Sequence, residues 1–189
     1  MTEIDSINKM LRYVGELPVP TSVVIDDLPD GHEAKTARII LAEQSRELQS
    51  KGWWFNRENW TYIPDDGYIT FSPEVIEISS DDEGYLIKGG DLYDVDNQTK
   101  VFTESVELVT IFETPLEDLP DLFGNYVLYS AALELHSYLN SDSDTLKSIN
   151  KSLEKASIAL ARENLKRSKV NLIKGTRLID RSTNPTELS

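Results

Sequence analysis

The sequence predicts an α+β chain: a four-helix-bundle-like helical domain interrupted by an inserted β-meander subdomain and finished by an extended C-terminal arm. Three observations carry that reading. Apolar residues recur three and four apart before residue 52 and again after residue 120, the mark of helices with one buried stripe. Between Trp53 and Phe112 that period gives way to short aromatic and β-branched runs broken by turn residues. Strand and helix do not alternate along the chain, which argues against a doubly wound nucleotide fold. The divisions expected are 1–56 and 115–168 for the helical domain, 57–114 for the inserted β subdomain and 169–189 for the arm.

The first helix is read from Ile4, Ile7, Met10, Leu11 and Val14, with Thr2 and Asp5 placed as a capping box and Gly15 as the stop. ELPVPTSVVIDDLPDG has three prolines and no helical period, so it is an ordered loop. A second helix of about twenty residues starts with Asp30 as cap and carries Ala34, Ala37, Ile40, Leu41, Gln44 and Leu48 inward as far as Lys51-Gly52. WTYI, YITF, VIEI, YLI, LYDV and SVELVTIF then supply a meander of about five to seven strands.

Pro120 suits the first position of a third helix, whose inner stripe is Leu122, Phe123, Tyr126, Val127, Tyr129, Leu133, His136 and Leu139. After NSDSD, Ser141 and Asp144 can form a second capping box. Leu146, Ile149, Leu153, Ala156 and Leu160 then alternate three and four apart as a coiled-coil-like seam, in the longest helix, reaching Lys166 or beyond. VNLIKGTRLIDRSTNPTELS mixes basic and apolar positions and reads as the extended arm.

Composition narrows the function. A chain of 189 residues buries a real core as one domain carrying an insertion. It has no cysteine, which removes disulfides, thiolate metal sites and cysteine nucleophiles. No membrane span and no signal peptide is expected, because no apolar run approaches the length required. Charge is segregated: residues 1–161 hold 12 basic and 30 acidic side chains, net −18, whereas 162–189 hold 7 and 3, net +4. An acidic body opposes nucleic-acid wrapping, since affinity for DNA comes chiefly from Lys and Arg on phosphates. The basic tail suits DNA or an acidic neighbour.

Candidate chemistry fails on spacing. His32 and His136 fall in different helices and read as structural, and without cysteine a transition-metal site would need carboxylates around one imidazole. Lys88-Gly89-Gly90 lacks the order of a P-loop and no helix follows it. Asp91, Asp94 and Asp96 do not have EF-hand spacing, so the stretch reads as a hairpin turning at the glycines, with Tyr93 and Phe102 as inward anchors. Asp65-Asp66 and Asp81-Asp82-Glu83 sit beside glycine in turns. Trp53, Trp54 and Trp60 suit sugar or base stacking, but their place at the junction favours packing. No catalytic residue, metal or cofactor is therefore expected.

The order of pieces Gly15-Glu16-Leu17-Pro18, Lys51-Gly52-Trp53-Trp54-Phe55-Asn56 and Gly89-Gly90-Asp91-Leu92-Tyr93-Asp94, followed by EDLPDLFGNYVLYSAALEL, resembles the tail tubular protein A family of short-tailed bacteriophages. The resemblance runs by motif over residues 4 to 140. It implies a virion tail protein without catalysis, assembled in the host cytoplasm as a twelvefold adaptor ring between the portal and the tail nozzle, tubular protein B. Tail fibres would attach at the β insertion, and genomic DNA would pass the channel without specific binding. In that setting the arm would engage the portal through Lys169, Leu172, Ile173, Lys174, Arg177, Leu178, Ile179 and Arg181. The alternative is a tail-associated carbohydrate-binding or hydrolytic protein, motivated by the tryptophans and acidic turns; a DNA-binding module acting through the tail is a third reading.

Overall fold

A computed structural model describes residues 1–79, 84–139 and 142–182, with side chains described as far as residue 167. Helix α1 spans Glu3–Tyr13, α2 Glu33–Gln49, α3 Asp121–Leu139 and α4 Ser143–Ser182, and a 3-10 turn covers Ile25–Asp27. The strands are β1 Arg57–Tyr62, β2 Val75–Ser79, β3 Tyr85–Lys88, β4 Asp91–Asp94 and β5 Val106–Phe112. The chain is thus mixed α+β, with all its strands lying between α2 and α3.

Local chemistry sets the helix ends. The Thr2 hydroxyl accepts from the Asp5 amide at 3.2 Å and donates to its carboxylate, so Thr2 caps the helix as expected, while the Asp5 carboxylate meets the Thr2 hydroxyl in place of the backbone amide that completes a capping box. At the other end of α1 the Glu16 amide reaches the Leu11 carbonyl at 3.0 Å, a Schellman-type closure. Asn8 then clamps the proline-rich loop, donating to the Val19 carbonyl and accepting from the Val19 amide. The cap of α2 is His32, whose Nδ1 accepts from the Ala34 amide at 3.1 Å; Asp30 instead pairs with Lys35. Ser141 lies outside the described residues, and Asp142 caps α4 by accepting from the Asp144 and Thr145 amides.

Helix α3 is the centre of the helical unit. Phe123, Val127, Leu128, Ala131, Ala132 and Leu135 are sealed from solvent between α1, α2 and α4. The buried face therefore runs through Phe123, Gly124, Val127, Leu128, Ala131, Ala132, Leu135 and His136; of the expected stripe Phe123, Val127 and His136 are buried, and Leu122 is exposed. Ala131 and Ala132 let neighbouring helices approach closely.

Two expectations fail at the level of whole elements. The strands are not a meander: β5 inserts between β1 and β2, antiparallel to both, while β3 and β4 form a separate hairpin. The reason is register. β5 carries Leu108, Thr110 and Ile111 inward and is the only strand of its sheet with hydrogen-bond partners on both edges. Nor do residues 169–182 form an extended arm, because α4 continues to Ser182. The missed signal is a seven-residue step, Ile158, Leu165, Leu172, Ile179, which equals about two helical turns. Residues 183–189 of the expected arm lie outside the described residues.

The β unit has its own core of Ile69, Phe71, Val75, Ile78, Leu92 and Leu108. Gly89 and Gly90 both adopt left-handed φ, +66° and +87°, which is what a two-residue hairpin turn with the right twist demands. Phe102 packs against this core as expected. Tyr93 does not: Leu92 points inward, and Tyr93 lies on the other face under the Lys88 ammonium, 4.3 Å from the ring centroid.

Candidate interaction surfaces

Two of the three carboxylates of the Asp91–Asp96 stretch are engaged within the fold. Asp91 accepts from the Lys100 ammonium and the Thr70 hydroxyl, both at 2.9 Å, and those bonds hold its carboxyl below the usual value. Asp94 is held low chiefly by the Asn97 amide at 2.8 Å and then by the Asn97 side chain. Among the described residues no three His, Cys, Asp or Glu side chains converge on a point that could hold a metal. Asp65 and Tyr68 exchange backbone hydrogen bonds around Asp66 and Gly67, a tight turn. Asp81, Asp82 and Glu83 lie outside the described residues. His136 is buried on α3 with Nε2 3.0 Å from the Asp142 carbonyl, where it ties α3 to the start of α4.

The Lys51–Asn56 motif is a structural clasp where the chain enters and leaves the β unit. Asn56, buried, donates to the carbonyls of Gln49 and Phe112, and its Oδ1 accepts from the Trp53 amide. Gln49, fully buried, donates to the Thr114 carbonyl and accepts from the Thr114 amide. The two chain crossings are thereby sewn together by side chains that satisfy backbone groups the strands cannot reach. Gly52 sits at φ +68° with the Ile111 side chain 2.9 Å from where a Cβ would stand, so this position admits only glycine without movement. Trp53 and Phe55 stack edge-on against Phe123, and the Trp53 indole donates to the Leu48 carbonyl. Only Trp60 of the three tryptophans lies open, 48% exposed on edge strand β1.

The exposed surface with most to offer a partner is α4. Its 40 residues extend about 60 Å, while α3 offers 19 residues of support, about 28 Å. Ile149 and Leu160 are buried against the bundle, Leu146, Leu153 and Ala156 are half-buried, and past Leu160 no described residue is buried. Ile158 and Leu165 stand 45% and 62% exposed beside Arg162, Lys166 and Arg167. Glu163 pairs with both Lys166 and Arg167, which holds its carboxyl below the usual value. The expected portal-binding residues Lys169, Leu172, Ile173, Lys174, Arg177, Leu178, Ile179 and Arg181 all fall on the last turns of this helix. Among the described residues no helix is long and apolar enough to cross a membrane.

A family model described as tail tubular protein matches residues 4–170, taking in the bundle, the clasp, the β unit and most of α4. The tail tubular protein A of Klebsiella phage KP34 is 32% identical over 148 residues, covering 76% of this chain and 77% of that protein.

Proposed function

The chain belongs to the tail tubular protein family, as a structural component of the bacteriophage virion tail and not an enzyme, and from that premise we propose that it is the adaptor ring joining the portal to the tail nozzle. The observation that carries this reading is the length of α4: a helix basic and apolar by sequence that runs on to Ser182, with Leu160 its last buried residue among those described. Such a helix gains little from solvent and much from an acidic or apolar partner surface.

In this reading about twelve copies surround a channel, and the acidic body, net −18 per copy over residues 1–161, repels the phosphates of DNA passing through it. The β unit, held by the clasp, faces the nozzle, tubular protein B, and the tail fibres. Lys169, Leu172, Ile173, Lys174, Arg177, Leu178, Ile179 and Arg181 engage the portal. Truncation after Arg167 tests the last assignment, because the buried bundle residues end at Leu160. The truncated chain is expected to keep its thermal midpoint and lose co-sedimentation with the portal. Retained co-sedimentation overturns the assignment, and absence of any ring by electron microscopy, with portal present, overturns the adaptor reading.

A further inference from the structure

Two exposed faces of the helical unit match each other, and they lie on different sides of it. On α4, Ile158 and Leu165 form an apolar line flanked by Arg162, Lys166 and Arg167. On the outer face of α2, Ile39 is 56% exposed, with Ala42, Glu43 and Glu47 on the turns that follow. Gln44 donates to Glu134 of α3 at 2.9 Å and to Glu47 at 3.4 Å, adding a further carboxylate to that patch. The basic residues of α2 do not neutralise it, since Lys35, Arg38 and Arg46 are taken by Asp30, Asp26 and Glu113, whereas on α4 the one carboxylate Glu163 is shared by Lys166 and Arg167 beside Arg162, which leaves that face basic.

The placement suits a contact between copies rather than within one. Both α2 and α4 pack on α3, and among the described residues they have at most slight contact with each other. Two different, complementary surfaces on separate sides of a protomer make a head-to-tail contact, the type that closes into a ring when the rotation allows it. We propose that α4 of one copy, around Ile158 and Leu165, lies on the outer face of α2, around Ile39 and Glu43, of the next copy. This rests on the adaptor-ring reading and specifies how its copies join. It also divides α4 by role: residues 158–167 hold the neighbouring copy, and those beyond hold the portal.

The chain has no cysteine, so an introduced pair reports cleanly. Full-length Ile39→Cys/Leu165→Cys, assembled with portal and mildly oxidised, is expected to give a ladder of covalent multimers beyond the dimer that collapses with thiol, while neither single variant does. A disulfide confined to single chains, or a dimer from Leu165→Cys alone, overturns the pairing. A ring seen by native mass spectrometry without the ladder overturns the pairing and leaves the ring standing; no assembly in any sample removes both. In a second arm, Glu43→Lys/Glu47→Lys is expected to lower the assembled fraction about tenfold, and adding Lys166→Glu/Arg167→Glu to the same chain to restore it to within about threefold. Failure of that restoration counts against the proposal.

Discussion

In the helical unit, Ile7, Met10, Leu11, Phe123, Leu128 and Leu135 are shut off from solvent completely, whereas in the β unit Leu92 alone among the described core residues reaches that state. The helical core draws on four helices and the loop after α1; the β core draws on short strands in two sheets and the segment around Ile69 and Phe71. β1 is exposed along most of its length. The difference teaches where apolar burial is deep and where it is thin: the helical unit is expected to hold by its own core, and the β unit to depend on its anchor. Its anchor is the polar clasp of Gln49 and Asn56, reinforced by the Trp53 and Phe55 rings on Phe123. Regions with thinner cores open at lower free energy than the whole molecule, so the β unit is expected to be the first part to exchange its amides.

That contrast can be broken experimentally. Leu128→Ala removes a fully buried side chain from the bundle and is expected to cost about 2–5 kcal/mol, lowering the global unfolding midpoint. Leu92→Ala, the same change in the β unit, is expected to speed amide exchange in β2 to β5 while α1 to α3 stay protected. Equal loss of protection in both units would show one cooperative fold and end the distinction. Asn56→Ala takes the side-chain donor from the Phe112 carbonyl, leaves the Gln49 carbonyl only the Gly52 amide, and is expected to cost about 1–3 kcal/mol, coupling non-additively with Gln49→Ala in a double-mutant cycle. Strict additivity would mean that the two side chains act separately.

The smallest effect concerns the β3–β4 hairpin. Hydrogen bonds from Asn97 hold the folded Asp94 carboxyl below its ordinary value of 3.8. A lowered folded value means that the contribution to stability is complete above that ordinary value and is lost as pH falls through the folded one. Wild-type protein is therefore expected to lose stability relative to Asp94→Asn only below about pH 4. A difference in thermal midpoint that stays constant from pH 6 to 2 would remove Asp94 from the account.

Much of the architecture was legible because it depends on local chemistry. The helical stripes, the Thr2 cap and the glycine turn at 89–90 follow from side-chain period and backbone freedom within a few residues. The Gly52-to-Asn56 motif was legible as a motif, but its work as a clasp was not, since Phe112 and Thr114 lie more than fifty residues away in sequence. His32 displaced Asp30 as cap because both can accept from an amide and only the entry angle of the chain selects one. Residues 169–182 of α4 were misread as extended because their basic residues masked a seven-residue apolar step; that step marks the surface proposed for both neighbour and portal.

The sequence by itself determined the α+β class, the place of the insertion, the segregation of charge and the absence of cysteine chemistry, all properties of residue types and their spacing. Only the tertiary structure decided the strand order β1-β5-β2, the inward turn of Leu92 in place of Tyr93, and the continuation of α4 as helix to Ser182. The physical reason is that register and burial depend on which distant strand or helix supplies the partner. A period along the chain states that a face must be covered, and packing alone settles by what.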